Sequence, residues 1–153
     1  MTPLDLDQLK RSLGIRLPDS YREAMLAYPF PPDSPAAEFW LLDQAKTTLE
    51  TNRQIRAVTL DGRPWPQHLI AIGGDGGEKM YLLDCATSPY AVLVFDIETG
   101  ETRPRAASFT EFLDKQWQDL RDLDQDARRM AEAYRNRKWW QFWIRPYPPR
   151  RAT

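Results

Sequence analysis

The chain has few side chains of the kinds that perform catalysis. Among its 153 residues, His68 is the only histidine and Cys85 the only cysteine. His68 is the natural candidate for a general base near neutral pH, but a hydrolase that pairs it with a carboxylate is the weakest function considered. Neither residue lies in a recognisable nucleophile motif, and both positions, beside predicted strands, are more typical of structural residues. We therefore predict no catalytic residue and no enzyme activity.

The same two residues limit metal and cofactor chemistry. A single histidine excludes a multi-histidine metal site within one chain, and a single cysteine excludes a thiolate cluster and an internal disulfide. Carboxylate pairs such as Asp122 and Asp126 have helical spacing, but no histidine accompanies them, which is typical of a solvated face. We predict no metal and no cofactor.

A glycine-rich segment, Gly73-Gly74-Asp75-Gly76-Gly77, lies between two apolar runs. Its amides could approach an anion, but the spacing matches neither a dinucleotide-binding loop nor a Walker loop, and Asp75 and Glu78 would repel phosphate. We interpret the segment as a turn between strands, in which glycines allow positive φ and Asp75 accepts hydrogen bonds from nearby amides.

Charge is distributed unevenly along the chain. From Arg128 onward there are eight basic side chains and one acidic side chain, a net charge of +7, whereas the first 127 residues have a net charge of −8. An acidic surface steers a basic protein partner and deters nucleic acid, and nuclease toxins are commonly basic because they bind phosphate. The alternative, which composition alone favours, is that mild acidity only maintains solubility.

Helix and turn signals predict the elements that position these residues. Thr2 and Pro3 favour a helix N-terminus, Gly14 suits a left-handed C-cap, and Ser108 with Glu111 forms a capping box. The predicted elements are, in chain order, a helix ending at Gly14, a helix over 19–28, a proline-rich loop over 29–35, a strand over 39–42, a helix over 43–52 with Asp43 as N-cap, a loop-like region over 53–67, strands over 69–72, 80–85 and 90–96, a turn over 98–101 before a short fourth strand, and a helix from 109 to 138. Helices followed by strands and then helices indicate an α+β fold with a central, mainly antiparallel sheet.

Short motifs occur in a fixed order along residues 6–115. They are an LG-x-x-LP-x-x-Y motif, a Trp-Pro pair, the glycine-rich strand end, a Phe-Asp pair at 95–96 and an Ala-Ser-Phe-Thr-Glu-Phe-Leu block at 107–113. The residues that carry the first three motifs are Gly14, Pro18, Tyr21, Pro66, Gly73, Gly76, Gly77, Tyr81 and Asp84. Together they resemble the SUKH superfamily. Two departures are Glu78, where many relatives carry another glycine, and Ile97, where a histidine is common.

The resemblance implies a shared α+β fold and a binding function. The superfamily includes fungal cell-wall-assembly regulators and many bacterial immunity proteins. It favours an immunity protein that neutralises a cognate basic toxin, such as a nuclease, by stoichiometric occlusion, without direct binding of nucleic acid. The alternative is a regulatory or scaffold module that binds a cellular protein.

We expect the partner to bind the loop-rich side of the sheet, because loops held by a rigid sheet commonly carry binding residues. The candidate contact residues are Trp65, Asp75, Glu78, Asp96, Glu98 and Glu101. Trp65 has a strong alternative as a core residue, since large aromatic side chains are usually buried.

The C-terminal extension has a different character from the rest of the chain. We predict a SUKH-like domain over 1–122 and an extension over 123–153. Its tryptophans, Trp139, Trp140 and Trp143, lie within five residues and are followed by a stretch rich in arginine and proline. They suit contact with a membrane interface, stacking on nucleic acid, packing onto the acidic body of the same chain, or a homodimer contact, and the sequence does not choose among these. Apolar runs are all shorter than a membrane span, and a cytoplasmic location is expected.

Overall fold

The computed structural model describes residues 1–60 and 63–135. The helices are α1 (Pro3–Leu13), α2 (Asp19–Leu26), α3 (Ala45–Ile55) and α4 (Phe109–Arg135), and a short π-helical segment covers Ala36–Trp40. The strands are β1 (Thr59–Leu60), β2 (Arg63–Pro64), β3 (Leu69–Gly74), β4 (Lys79–Asp84), β5 (Val92–Asp96) and β6 (Thr102–Ala106). This order of elements confirms the predicted α+β fold.

The central sheet is an antiparallel meander with the strand order β3-β4-β5-β6, and β1 pairs with β2 separately. Because each strand pairs with the next along the chain, the β3–β4 turn and the β5–β6 turn lie at the same end of the sheet. In β3, Ala71 pairs with Leu82 and Gly73 with Tyr81, so Ile72 is the extra residue of a β-bulge.

The helix caps predicted at Thr2, Gly14 and Ser108 are confirmed. Thr2 and Asp5 form a reciprocal capping box at the start of α1, and Gly14 ends α1 with φ of 66°. At the start of α4, the Ser108 hydroxyl accepts from the Glu111 amide at 3.1 Å, and the Glu111 carboxylate reaches back to the Ala107 amide at 2.7 Å. The Lys115 ammonium and the Ala107 amide both lower the pKa of Glu111.

The segment from residue 36 to residue 44 differs from its prediction. The expected strand over 39–42 is wrong, because Ala36–Trp40 forms the π-helical segment. Tyr28 holds this segment, since its hydroxyl donates to the Leu41 carbonyl at 2.6 Å and to that of Ala36 at 3.2 Å. Asp43 is not the cap of α3, which begins at Ala45 after Gln44 and has no side-chain cap.

Both faces of the sheet are covered. On one face, Trp65 packs with Ile55, Leu69, Ala71, Leu82 and Phe95. On the other face, the Tyr81 ring contacts Phe112 of α4 with ring centroids 5.2 Å apart. Residues 69–73 of β3 are consequently all buried, as expected for a strand packed on both faces.

The outer edge of β3 is satisfied by side-chain and loop groups instead of another strand. Asn52 of α3 is fully buried, and its amide donates to the Ala71 carbonyl at 2.8 Å and accepts from the Ala71 amide at 2.9 Å. At the bulge, the Leu42 amide donates to the Ile72 carbonyl at 2.8 Å. These bonds attach α3 and the π-helical segment to the sheet.

The chain divides into two compact units, Met1–Trp117 and Gln118–Thr153. The structure describes residues 118–135 of the second unit, and these form the C-terminal part of α4. The boundary predicted at residue 122 therefore lies within a continuous helix. Within the described residues, no helix has the length and apolar character needed to cross a membrane.

Asn52 gives the first test of this architecture. We expect Asn52→Ala to lower the free energy of unfolding by about 2–4 kcal/mol, because the buried amide and carbonyl of Ala71 each lose a partner, at about 1–3 kcal/mol per unsatisfied group. Urea denaturation measures the loss. The control is Gln54→Ala on the exposed side of α3, which we expect to change stability by less than about 0.5 kcal/mol. Equal losses in the two variants would contradict the role given to Asn52.

Candidate partner-binding surface

The β3–β4 turn is built around Asp75. Its carboxylate accepts from the Gly77 amide at 2.9 Å and from the Lys79 amide at 3.1 Å. Gly76 has φ of 82°, a conformation that favours glycine. The prediction that this segment is a turn held by Asp75 is confirmed, although Gly76 is the only glycine of the segment with positive φ.

The β5–β6 turn uses the same device. The Asp96 carboxylate accepts from the Thr99 amide at 3.0 Å and from the Glu98 amide at 3.1 Å, and Gly100 has φ of 76°. The Thr99 amide is the main reason that the pKa of Asp96 is lowered, and Arg103 contributes through its charge. The carboxylate is therefore ionised at neutral pH and fixed by its own turn.

The two turns are joined to each other. The Ile97 amide donates to the Glu78 carbonyl at 2.8 Å, and Lys79 pairs with Asp96 in the sheet register. The structure thus brings together five of the six predicted contact residues, Asp75, Glu78, Asp96, Glu98 and Glu101. We refer to residues 75–79 and 96–103 as the acidic edge, which carries five carboxylates and two basic side chains.

The five carboxylates of the acidic edge have two different roles. Those of Asp75 and Asp96 are engaged by turn amides. Glu78, Glu98 and Glu101 are exposed, and their carboxylates form no ion pair with any residue in the described part of the chain. The glutamates are consequently the carboxylates that can bind a basic group without first losing an internal partner.

Two exposed apolar side chains accompany the acidic edge. Phe39 is 39% exposed, and its ring carbons lie 3.1–3.3 Å from the position that a Cβ on Gly76 would occupy. Ile97, between Asp96 and Glu98, is 53% exposed. Sequence reasoning missed both as contact residues. Phe39 was missed because the apolar run over 39–42 predicted a strand. The one signal for Ile97 was its departure from the family pattern.

A cavity of about 630 Å³ lies beside the π-helical segment. Its lining residues are Pro32, Asp33, Ser34, Ala37, Glu38, Leu42, Asp43, Gln44 and Thr47. The lining holds three carboxylates and no basic side chain, so the cavity favours a cationic group. Glu38 lines this cavity, and the ring of the next residue, Phe39, lies beside Gly76 of the acidic edge. The π-helical segment therefore connects the cavity to the acidic edge. The sequence analysis did not predict the cavity.

Trp65 belongs to the core. It is 3% exposed, its indole N–H donates to the Leu69 carbonyl at 3.3 Å, and its ring meets Phe95 edge to face at 5.4 Å between centroids. So little of the ring is accessible that we remove Trp65 from the candidate contact residues.

His68 and Cys85 lie together at a smaller cavity of about 330 Å³, which is lined by Gly14, Ile15, Arg16, Gln67, His68 and Cys85. The Cys85 amide donates to the His68 carbonyl at 3.0 Å. Burial raises the pKa of the Cys85 thiol to about 12, which disfavours the nucleophilic thiolate. Within residues 1–60 and 63–135, His68 has no carboxylate hydrogen-bonded to it, so the geometry provides no catalytic dyad.

The remaining motif residues lie in packing and turn positions. Pro18 immediately precedes α2, and Tyr21 packs edge to face on Phe109 at 5.4 Å between centroids. The Asp84 carboxylate accepts from the Ala86 amide at 2.8 Å. Across the described residues, no group of three or more histidine, cysteine or acidic side chains could hold a metal ion. The predicted tail contacts at Trp139, Trp140 and Trp143 lie outside the described residues.

An antiparallel sheet with helices on its faces and an acidic loop edge at one end define a small α+β domain. The model of the SMI1 / KNR4 family (SUKH-1) matches residues 1–115, and the chain belongs to this family. Its members are in general non-catalytic binding modules, and membership fits an immunity-like role in general terms. No curated protein and no solved structure matches the chain.

A substitution at Gly73 tests how closely the π-helical segment packs against β3. A Cβ at this position would lie 2.0 Å from the Trp40 carbonyl oxygen, so Gly73→Ala must displace the backbone beside Phe39. We expect a loss of about 2–3 kcal/mol in the free energy of unfolding, as for other overpacked sites. Gly77→Ala is the matched control, because its Cβ would have 3.5 Å to the nearest atom, a carboxylate oxygen of Asp75. A tolerated Gly73→Ala would contradict the close approach.

Cys85 gives a second test. With a pKa of about 12 instead of 9.0, the thiolate population at pH 8 is about a thousandfold smaller than that of an ordinary cysteine. We expect an aromatic disulfide reagent to modify the native chain at pH 8 about a thousandfold more slowly than the urea-unfolded chain. The native rate should rise as the pH is raised above 8. Equal rates in native and unfolded chains would contradict the burial of this thiol.

Proposed function

We propose that the chain is an immunity protein that binds a basic toxin, such as a nuclease, and neutralises it by stoichiometric occlusion. The observation that carries the proposal is the acidic edge, where the exposed glutamates Glu78, Glu98 and Glu101 occur together with the exposed apolar side chains of Phe39 and Ile97 in a family of binding modules. A nuclease must present a basic groove to phosphate, so carboxylates held on a rigid edge are suited to occupy that groove.

The two kinds of side chain contribute differently to binding. Glu78, Glu98 and Glu101 raise the association rate with a basic partner and select against acidic ones. Phe39 and Ile97 provide apolar area, which is the larger source of affinity once the surfaces meet. A mixture of apolar and charged side chains is the usual composition of a specific protein interface.

The turns also reduce the cost of binding. Asp75 and Asp96 hold their turns through amide hydrogen bonds, and the Ile97 amide ties one turn to the other. Loops that are already ordered lose little conformational entropy on association, which favours tight, stoichiometric binding. Neutralisation by occlusion needs such affinity and needs no chemical step.

Charge reversal on the acidic edge tests the proposal. The probe is the C-terminal domain of the basic toxin that the proposal expects to be encoded next to this chain, and the affinity is measured by calorimetry at two salt concentrations. We expect Glu78→Lys/Glu98→Lys/Glu101→Lys to weaken binding by about a hundredfold or more, since like charges then face each other. Phe39→Ala should weaken it by about tenfold, as truncation of an interface aromatic does. Affinity of the unaltered chain should fall as salt rises.

The matched control carries the same change of charge on other elements. Glu23→Lys/Glu50→Lys/Asp114→Lys alters three exposed acidic residues on α2, α3 and α4. We expect its affinity to stay within about threefold, because changes outside an interface act only through weak long-range fields. Equal weakening by both triple variants would contradict the acidic edge as the binding site. Failure of the chain to protect cells that express the toxin would overturn the immunity function, and capture of a non-toxic cellular protein through this edge would favour the scaffold alternative.

A further inference from the structure

The smaller cavity, of about 330 Å³, lies at the end of the sheet opposite the acidic edge. Two of its lining residues, His68 and Cys85, immediately precede β3 and follow β4, whereas the β3–β4 turn joins the other ends of these strands. Gly14, Ile15 and Arg16, which follow α1, also line it. A cavity of this size is at the small end of the range for ligand sites, so it suits a small molecule.

Arg56 is fixed beside this cavity. Its guanidinium donates from Nη1 to the Leu13 carbonyl at 3.0 Å and from Nη2 to the Gln67 carbonyl at 2.8 Å. Leu13 precedes Gly14 in the chain, and Gln67 is itself a lining residue, so the two hydrogen bonds hold the guanidinium between the two walls of the cavity. The Arg56 Nε is buried and has no hydrogen-bond partner among the described residues.

The positive charge at this cavity is not compensated within the described part of the chain, where neither Arg56 nor Arg16 forms an ion pair with a carboxylate. Burial lowers the pKa of the Arg56 guanidinium, as expected for a charge without an acidic partner, although an arginine stays protonated. His68 adds a ring N–H donor. The Asp84 carboxylate at the end of β4 accepts from the Ala86 amide, and Asp84 is not among the lining residues. The cavity therefore presents positive charge and N–H donors to an anion.

We propose that this cavity binds the phosphate group of a small molecule, either free phosphate or a phosphate ester. Arg16 and His68 donate to the phosphate oxygens, and Arg56 supplies a fixed positive charge beside them. Guanidinium groups match the geometry of phosphate oxygens, and a phosphate ester carries a charge of about −1.5 to −2 at neutral pH, so it gains more from two arginines than a carboxylate does.

A small anion suits the cavity better than a nucleic acid does. The first 127 residues have a net charge of −8, which repels a polyanion approaching the whole surface. A small ion inside the cavity lies within reach of the arginines, and salt screens it from the more distant carboxylates. This inference does not depend on the proposed function, because the cavity and the acidic edge lie at opposite ends of the sheet.

Titration of the full chain with inorganic phosphate tests the proposal. Nuclear magnetic resonance follows the amides of Ile15, Arg16 and His68 at constant pH and ionic strength, with chloride as the replaced anion. We expect saturable shifts with a dissociation constant of about 1 mM, the affinity that about two charge-assisted hydrogen bonds provide. Acetate should bind at least about fivefold more weakly, because it carries less charge. Absence of saturation up to about 50 mM phosphate, or equal binding of acetate, would overturn the proposal.

A substitution at Arg16 locates the bound phosphate. Arg16→Gln should weaken phosphate binding by at least about tenfold, since it removes a charge-assisted contact. The matched control, Lys46→Gln, removes the same charge about 15 Å along α3 from Arg56 and should leave the affinity within about twofold. Equal weakening in the two variants would overturn the site. Arg16 is preferred to Arg56 for this test because Arg56→Gln also removes the bonds to Leu13 and Gln67.

Glycerol 3-phosphate distinguishes the two sources of the phosphate group. Binding at least as tight as that of inorganic phosphate would support an ester, whose organic part occupies the remaining volume of the cavity. Binding at least about tenfold weaker would support free phosphate, because the cavity then excludes the organic part. Failure of both probes to bind would overturn the proposal.

Discussion

An edge strand presents a row of amide and carbonyl groups that need hydrogen-bond partners. In this protein, the groups that satisfy the outer edge of β3 also determine the position of the π-helical segment. Asn52 satisfies both polar groups of Ala71, and the Leu42 amide satisfies the Ile72 carbonyl at the bulge. These bonds cover an edge that would otherwise be a template for aggregation. They also fix α3 and the π-helical segment against the sheet, and in doing so they determine where Phe39 lies.

The glycines of the β3–β4 region are explained by the same packing. Gly73 allows the Trp40 carbonyl to approach β3 more closely than any side chain would permit, and Gly76 leaves room for the Phe39 ring while it adopts positive φ. These glycines allow a neighbouring backbone and an aromatic ring to approach the sheet, which is a second common use of glycine near a strand end.

Local signals predicted most helix ends and the main strands, whereas the segment over 39–42, which depends on distant contacts, was predicted wrongly. The region over 53–67 was predicted as loop-like, but it holds the end of α3 and the short strands β1 and β2. Thr2, Gly14 and Ser108 act on amides within a few residues, so the sequence around them is sufficient to place the helix ends. The run over 39–42 has the composition of a strand, but Tyr28 and the bulge at Ile72 bind its backbone from elsewhere in the chain. Tertiary hydrogen bonds of this kind override local propensity.

The part of the candidate site that depends only on the order of the strands and turns could be predicted from the sequence. The carboxylates of the two turns were expected on one loop-rich side of the sheet, and the antiparallel meander places both turns at the same end. The contribution of Phe39 could not be predicted, because its position follows from the misassigned segment. Trp65 was named as a contact on residue type, and its burial on Phe95 reflects the need to cover the sheet face opposite α4.

The distribution of charge determines which partner the acidic edge suits. The acidic edge has five carboxylates and two basic side chains, so two copies of it repel each other and it is suited only to a partner of opposite charge. A chain with a net charge near zero can therefore still select a basic partner, because five of its carboxylates lie together at one end of the sheet.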